Sequence, residues 1–463
     1  MDFRDHSLAD LVARVQQREV RAEELLEIAL ARIEELEPTL NAWAALDGDQ
    51  ARRDARALDE RLDKGDSVGP LAGIPIGVKD LEMARGFRTG YGSALHADDP
   101  PADADSPLVA RLRAAGCIVV GKTMTPEHGW KGDTINPHWG ATRNPWGLDR
   151  SPGGSSGGSA AALVSGMVPL ATGSDGGGSI RIPAALCGLS GIKVTNGKIA
   201  LGGPNPPGAG VLAVRGPMAC RISDVAYALS VCAGADPTDC FSVPDGNVDW
   251  TSLEAPLPQR VVWAAAPGFP VDAEVARVCA AAIERLEAAG TEIVAVDDLF
   301  RSPPLYDWYT LWTVFRERAQ GDLRETPDWE RIDEGLRDEM DYARAKVDAV
   351  GFARALDGIH LHNLDLIPHF EQAPLILCPT VAGQTGVSGR QGTIDGEEMP
   401  SWAPFTQAFN MTRHPAGSMC AGFTSEGLPV GLQVVGERHD DLTVLRAIAS
   451  LEELLGDGRR PPL

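Results

Sequence analysis

The chain reads as an α/β protein, with one large mixed central sheet covered by helices on both faces. The first observation behind this is a set of eight short apolar runs spread over 463 residues: LAGIPIGV, CIVVG, MVPLATG, GIKV, RVVWAA, EIVAV, PLILCPT and VGLQVVG. Strands buried on both faces are near-continuously apolar, whereas half-buried strands alternate. The second is what separates the runs, stretches of helical period at 106–115, 157–166, 223–233, 273–289 and 440–454. Strands alternating with helices predict a sheet with both faces covered. The third is the lack of a linker. Length alone suggests about three domains, but the Pro/Gly clusters are short and apolar segments recur throughout, so a single domain over 1–463 is expected.

Taken in order, Ser7 is placed to cap a helix running to about Val20. Arg21 to Glu37 follows with Leu25, Ile28 and Ile33 on one face and Pro38 as its stop. A charged, alanine-rich helix at 49–64 completes an N-terminal helical part, 1–65, and the segment 66–235 then carries the glycine-rich motifs. From about 300 to 410 the composition changes: Tyr306, Trp308, Tyr309, Trp312 and Phe315, then a charged helical stretch at 327–356, then a Gly/Gln/Thr-rich loop at 382–397. This reads as a helical and loop insertion over the active edge of the sheet. Trp308, Trp312 and Phe315 have i, i+4, i+7 spacing and share a helix face. That face is either an aromatic core stripe, the plainer reading, or a pocket wall.

Composition excludes several classes of function. A net charge of −23 argues against a nucleic-acid surface, since phosphate binding needs a basic patch. Eight cysteines are scattered without CxxC spacing, and Cys117, Cys187 and Cys378 sit in apolar runs. They read as small core residues in a reducing compartment. No HExxH or His/Cys cluster points to a metal, and no cofactor is expected. The start, MDFRDHSLAD, lacks the basic and apolar regions of a signal peptide. No uncharged run approaches the ~20 residues of a membrane span. A cytoplasmic protein without membrane partners is expected, as a monomer or homodimer.

The chemistry is carried by three polar residues in otherwise unreactive surroundings: Lys79 in GIPIGVKD, Ser155 in SPGGSSGGS and Ser179 in GSDGGGSIRIPA. The serines lie 24 residues apart, with an apolar stretch between them as long as one fold-back, so both glycine-rich turns can meet at one sheet edge. A hydroxyl needs an adjacent base to become a nucleophile, and a lysine held neutral in a dry pocket can be that base. Only seven lysines stand against thirty-five arginines, so one embedded in an apolar strand calls for an explanation. Lowering a lysine pKa from ~10.4 by about three costs on the order of 4 kcal/mol. Burial and the positive start of a helix after Gly157 could enforce it. Gly176, Gly177 and Gly178 carry no side chains to block a carbonyl oxygen, so the N–H groups of these residues and of Ser179 can converge on an oxyanion.

Thr142-Arg143-Asn144-Pro145-Trp146, the run Asp149 to Ser159 (DRSPGGSSGGS) and the run Gly173 to Ala184 (GSDGGGSIRIPA) resemble the signature of the amidase signature family. Matching pieces extend from Leu25 to the GLPVG turn at 427–431, so the resemblance covers nearly the whole chain. It implies an α/β/α sandwich and hydrolysis of C–N acyl bonds through Ser179. Ser155, after a cis Gly154–Ser155 bond, would relay the proton to Lys79. It implies supporting roles for Ser156, Asp175 and Arg181, and an acyl pocket near Gly129 and Trp130. Ile182 stands where the tRNA-linked amidotransferase branch usually has glutamine, which favours a stand-alone hydrolase of small apolar or aromatic amides, with carbamates (urethanes) and esters on the same relay. Trp308 and Trp312 are further pocket candidates. Arg413, where relatives commonly have glycine, would narrow or charge part of the pocket. The alternatives are a glutaminase like that of the glutaminyl/asparaginyl-tRNA amidotransferases and a non-catalytic binding protein of the same fold.

Two other patterns compete for these residues. Gly116 to Thr123 (GCIVVGKT) matches a phosphate loop, but its strand lies inside the motif and Pro126 follows instead of a helix. Gly154-Ser155-Ser156-Gly157-Gly158 matches a nucleophile elbow, which would make Ser156 the nucleophile and leave Lys79 and the triple glycine without a role.

Overall fold

The computed structural model describes residues 1–203 and 206–463. Its longer strands form two mixed sheets. The first runs, in spatial order, Trp43–Leu46, Ile118–Thr123, Pro75–Lys79, Leu170–Asp175, Val214–Met218. The second runs Glu292–Val296, Arg260–Ala264, Leu375–Pro379, Pro429–Gly436, Ala416–Phe423, Gly191–Lys193. An isolated antiparallel bridge, Ser190 to Ala219, joins the neighbouring edges of the two. Pro75–Lys79 is buried along its whole length and pairs in parallel with Ile118–Thr123 (Lys79 opposite Thr123) and with Leu170–Asp175 (Ile76 opposite Leu170). Such burial on both faces is why its sequence does not alternate.

Helices cover both faces. A Cβ at Gly417 would point at Ile448 of the helix Asp441–Leu455, whereas one at Gly431, on the opposite face of the paired strand, would meet Ala185 of Arg181–Cys187. The helix Gly157–Val164 is buried at every position. Its small residues let it lie close to its neighbours: a Cβ on Gly158 would stand 2.3 Å from the Met124 nitrogen. All eight cysteines are free thiols, and no described helix is long and apolar enough to cross a membrane.

Several boundaries differ from expectation, each for a local reason. The first helix, Leu8–Gln16, is capped by Ser7 but stops short of Val20 because the chain turns through left-handed Arg18 (φ 62). The second, Ala22–Leu40, carries Pro38 inside its last turn. Leu36 and Leu40 are buried there, and the Glu37 carboxylate accepts from the Ala42 and Trp43 amides at 2.9 and 3.0 Å just beyond. These contacts offset the backbone hydrogen bond a helical proline forfeits. The charged stretch 327–356 is divided. One helix spans Glu334–Lys346, and Asp348 then caps a second, Ala349–Phe370, by accepting from the Gly351 amide at 2.7 Å. The segment 300–410 is not wholly an insertion, since Leu375–Pro379 is an interior strand of the second sheet.

Candidate active site

The site forms where parallel strands end. Lys79 is the last residue of its strand, and the neighbouring strand, Leu170–Asp175, ends on Ser174 and Asp175. Ser155 and Ser156 precede the helix Gly157–Val164 that leads into that strand, and Gly176 to Ser179 follow it. The carboxyl ends of parallel strands are where α/β sheets bind ligands, because the connecting loops open there.

Lys79 is fully buried, and its Nζ has three hydroxyl neighbours: Ser155 Oγ at 2.7 Å, Ser156 Oγ at 2.8 Å and Ser174 Oγ at 2.9 Å. The peptide bond before Ser155 is cis. Burial pulls the lysine pKa down to about 7, partly opposed by the charges of Glu82 and Asp175 and reinforced by Arg316. A neutral amine has two N–H donors and one lone pair, so one of the three hydroxyls must donate to it. Ser156 directs its hydroxyl at the Ser174 carbonyl (3.4 Å). That leaves Ser155 and Ser174 as the hydroxyls able to give a proton to Lys79, and Ser155 is the nearer at 2.7 Å. Two other lysines are equally buried but meet no serine. Lys122, in the phosphate-loop pattern, donates to the Glu82 carbonyl at 2.6 Å and lies 3.4 Å from Asp80. It belongs to the strand Ile118–Thr123, so no phosphate cradle exists there. Lys193 donates to the Val194 carbonyl at 3.0 Å.

The glycine loop is held from behind. Asp175 accepts from the amides of Gly178 at 2.7 Å and Ile180 at 3.2 Å, and pairs with Arg181 at 2.8 Å, both side chains fully buried. Burial would raise the Asp175 pKa, but the charge and hydrogen bonds of Arg181 and the amide of Asn410 outweigh it and hold it at about 2. Arg181 also donates to the Thr406 carbonyl, Gln433 and Asn410. The loop carbonyls are pinned as well: Gly176 accepts from Trp308 Nε1 at 2.9 Å and Gly177 from Thr406 Oγ1 at 2.6 Å. One expectation is corrected here. The Gly178 amide is turned onto Asp175, at φ +129, and cannot also face an oxyanion. The amides of Gly176, Gly177 and Ser179 have no backbone acceptor among the described residues. Ser179 opens onto a cavity of about 1230 Å³.

Ser155, Ser174, Ser179, Gly176, Gly129 and Trp312 line that cavity. Gly129 stands at φ +68, where a Cβ would come within 3.0 Å of Ser155 Oγ, so only glycine leaves that oxygen clear. Four of the six pocket candidates do not line the cavity. Trp308 backs the glycine loop, its ring where a Gly177 Cβ would be. Trp130 packs against Leu336, Met340 and Ile332. Ile182 lies in an apolar cluster with Leu186, Val381 and Trp402. Arg413 sits at φ 65 beyond the helix Gln407–Met411, near Arg438. The aromatic stripe therefore does both things. Trp308 and Trp312 stack 5.0 Å apart in a core cluster, and Trp312 also faces the cavity. Sequence reasoning missed Ser174, which was legible beside Asp175 in the GSDGGGS run. It also missed Thr406, Asn410 and Arg316, which carry no local signal.

The Amidase family model matches residues 24–445. The chain belongs to this family. It is 35% identical to an acylamidase of Rhodococcus erythropolis over 96% of this chain and 94% of that protein. It is 32% identical to a glutamyl-tRNA(Gln) amidotransferase component of Geobacillus kaustophilus over the full length of both. Among solved structures it is similar to a bacterial aryl acylamidase of the amidase signature enzymes, with a TM-score of 0.89, 29% identity and coverage of 97% and 96% of the two chains. It is thus an amidase-family hydrolase acting on C–N bonds.

Proposed function

We propose that this amidase acts alone on small apolar or aromatic amides, and on aryl carbamates and esters through the same centre. The observation that carries the reading is the buried Lys79 amine within 2.7–2.9 Å of three serine hydroxyls, beside a glycine loop whose Gly176, Gly177 and Ser179 amides have no backbone acceptor among the described residues. Neutral Lys79 takes the Ser155 proton as Ser155 takes that of Ser179, whose oxygen attacks the carbonyl carbon. The amides of Gly176, Gly177 and Ser179 receive the oxyanion. The proton returns through Ser155 to the leaving nitrogen, the C–N bond breaks, and the amine departs, leaving an ester on Ser179. Water then attacks that ester by the same proton path and frees the acid.

The similarity to an amidotransferase component keeps a glutaminase as the second reading. Against it stands Ile182, buried among Leu186, Val381 and Trp402, where a glutamine side chain would leave its amide unpaired. The test uses purified protein in chelator-containing buffer with an acyl anilide, an aryl carbamate and glutamine, following released amine or ammonia. Anilide or carbamate cleavage is expected. Glutaminase activity without either would favour the amidotransferase branch. Failure to react with a serine-directed covalent probe would favour a binding protein.

A further inference from the structure

We infer that Arg316 recognises a carboxylate on the substrate, so that amides carrying one in the part of the cavity beyond Trp312 are preferred. The inference rests on the amidohydrolase reading and narrows its substrate class.

Arg316 lies in the helix Leu305–Gln320 and is only 4% exposed. A buried guanidinium is ordinarily matched by a carboxylate, because an unpaired buried charge is costly. This one is not matched. Its Nη1 donates to the His128 carbonyl at 2.9 Å, its Nε is buried without an acceptor, and no described carboxylate forms an ion pair with it. Its plane lies 4.0 Å over the Trp312 ring. The same ring abuts the glycine loop, where a Cβ on Gly176 would be 2.9 Å from Trp312 Cζ3. Arg316 thus lies over the ring that touches the loop and lines the same cavity as Ser179.

The surrounding charges fit this role. Glu339 is the acidic group whose charge acts on Arg316, and it accepts from Trp312 Nε1 at 3.0 Å. Burial raises its carboxyl pKa, which the Arg316 charge and the Trp312 hydrogen bond partly oppose, and among the described residues it forms no ion pair with the guanidinium. Burial lowers Arg316 itself only to about 10, which leaves it charged. The other cavity arginines differ: Arg215 pairs with Glu82 at 2.6 Å, and Arg318, which donates to the Pro207 carbonyl at 2.8 Å, is exposed to solvent. A guanidinium fork matches a carboxylate in plane and spacing. Asp99, Asp105 and Asp236 also line the cavity, and their charge disfavours a doubly charged phosphate more than a singly charged carboxylate.

The test compares matched ligands by calorimetry on Ser179→Ala, where turnover cannot interfere. Succinanilate is paired with its terminal carboxamide, and 4-acetamidobenzoate with 4-acetamidobenzamide, to place the charge on the acyl or the amine side. At least one carboxylate should bind about 10- to 100-fold tighter than its neutral partner, the range expected of a buried charge-assisted pair. Arg316→Met in the same background should bring that ratio to about one, and Arg316→Lys should restore part of it. In the otherwise wild-type enzyme the preference should appear in KM more than in kcat. Equal binding of both pairs by Ser179→Ala, or a preference that survives Arg316→Met, overturns the inference. A separate outcome, carboxylate binding without hydrolysis of any anilide by the wild type, would count against the hydrolase reading and not against this site.

Discussion

Replacing Lys79 by methionine should stabilise the protein, and the gain should shrink as the pH rises. Burial holds the lysine at about 7 in the folded state against an ordinary 10.5. The unfolded chain therefore binds this proton below about 10.5 and the folded chain only below about 7. Between those values the unfolded state carries the extra proton, so wild-type stability rises by about 1.4 kcal/mol per pH unit. Below pH 7 the full cost, on the order of 5 kcal/mol, is present, and above 10.5 it is gone. Methionine fills the same space and does not titrate. The variant also loses hydrogen bonds to three serines, about 1 kcal/mol each, but that loss does not vary with pH and cancels in a comparison across pH. Lys193, also pulled to about 7 by burial, is common to both proteins and cancels too. The stability of Lys79→Met relative to wild type should fall by about 2–3 kcal/mol from pH 7 to pH 9. Guanidinium denaturation followed by tryptophan fluorescence at pH 7, 8 and 9 measures it. A difference that stays flat over this range would mean that the buried amine keeps its proton in the folded state, and a neutral resting base would be ruled out.

Other outcomes follow from the same geometry. Ser179→Ala should abolish anilide turnover and Ser155→Ala should cost several orders of magnitude in kcat/KM, without additivity, since the relay acts as a unit. A dead Ser156→Ala beside an active Ser179→Ala would instead support the nucleophile elbow. The pH dependence of kcat/KM should climb through about 7, as Lys79 loses its proton, to an alkaline plateau; a maximum near pH 5 would count against a lysine base. Gly177→Ala places a Cβ 2.4 Å from Trp308 Cζ2, so the loop must shift, and kcat should fall by about 100-fold or more with a smaller change in KM. Asp175→Asn leaves Arg181 buried without its partner and should cost about 3–5 kcal/mol in a denaturation experiment.

The interior strands of the two sheets were legible because they are buried on both faces. Runs such as GIPIGV and VGLQVVG admit no amphipathic helix, and glycine and proline mark their ends. The helix ends were less legible where tertiary contacts override local punctuation, as at Pro38, which buried Leu36 and Leu40 carry into the helix. In the site, Lys79, Ser155 and Ser179 stood out because polar residues interrupt apolar or glycine-only surroundings. The three amides left for an oxyanion could not be read from the sequence, because Gly178 differs from its neighbours only in which way its N–H points. Asn410 and Thr406 reach the loop from more than 220 residues away, and nothing in their own segment marks them. Trp130, read as either packing or contact, and Ile182, read as a pocket residue, both lie in apolar clusters, because an apolar side chain near a catalytic loop more often packs behind it than faces the substrate.

The chemistry stands or falls with Ser179 as the nucleophile and Lys79, acting through Ser155, as its base. A trapping experiment decides between this pair and its rivals. The protein is treated with a serine-directed acylating probe at pH 6 and pH 9, digested, and the modified peptide located by mass spectrometry. A single adduct on Ser179 is expected, formed faster at pH 9 and lost in both Ser179→Ala and Lys79→Met. An adduct on Ser156, or labelling of Ser179 that proceeds undiminished in Lys79→Met, would show that the nucleophile or its base has been misassigned.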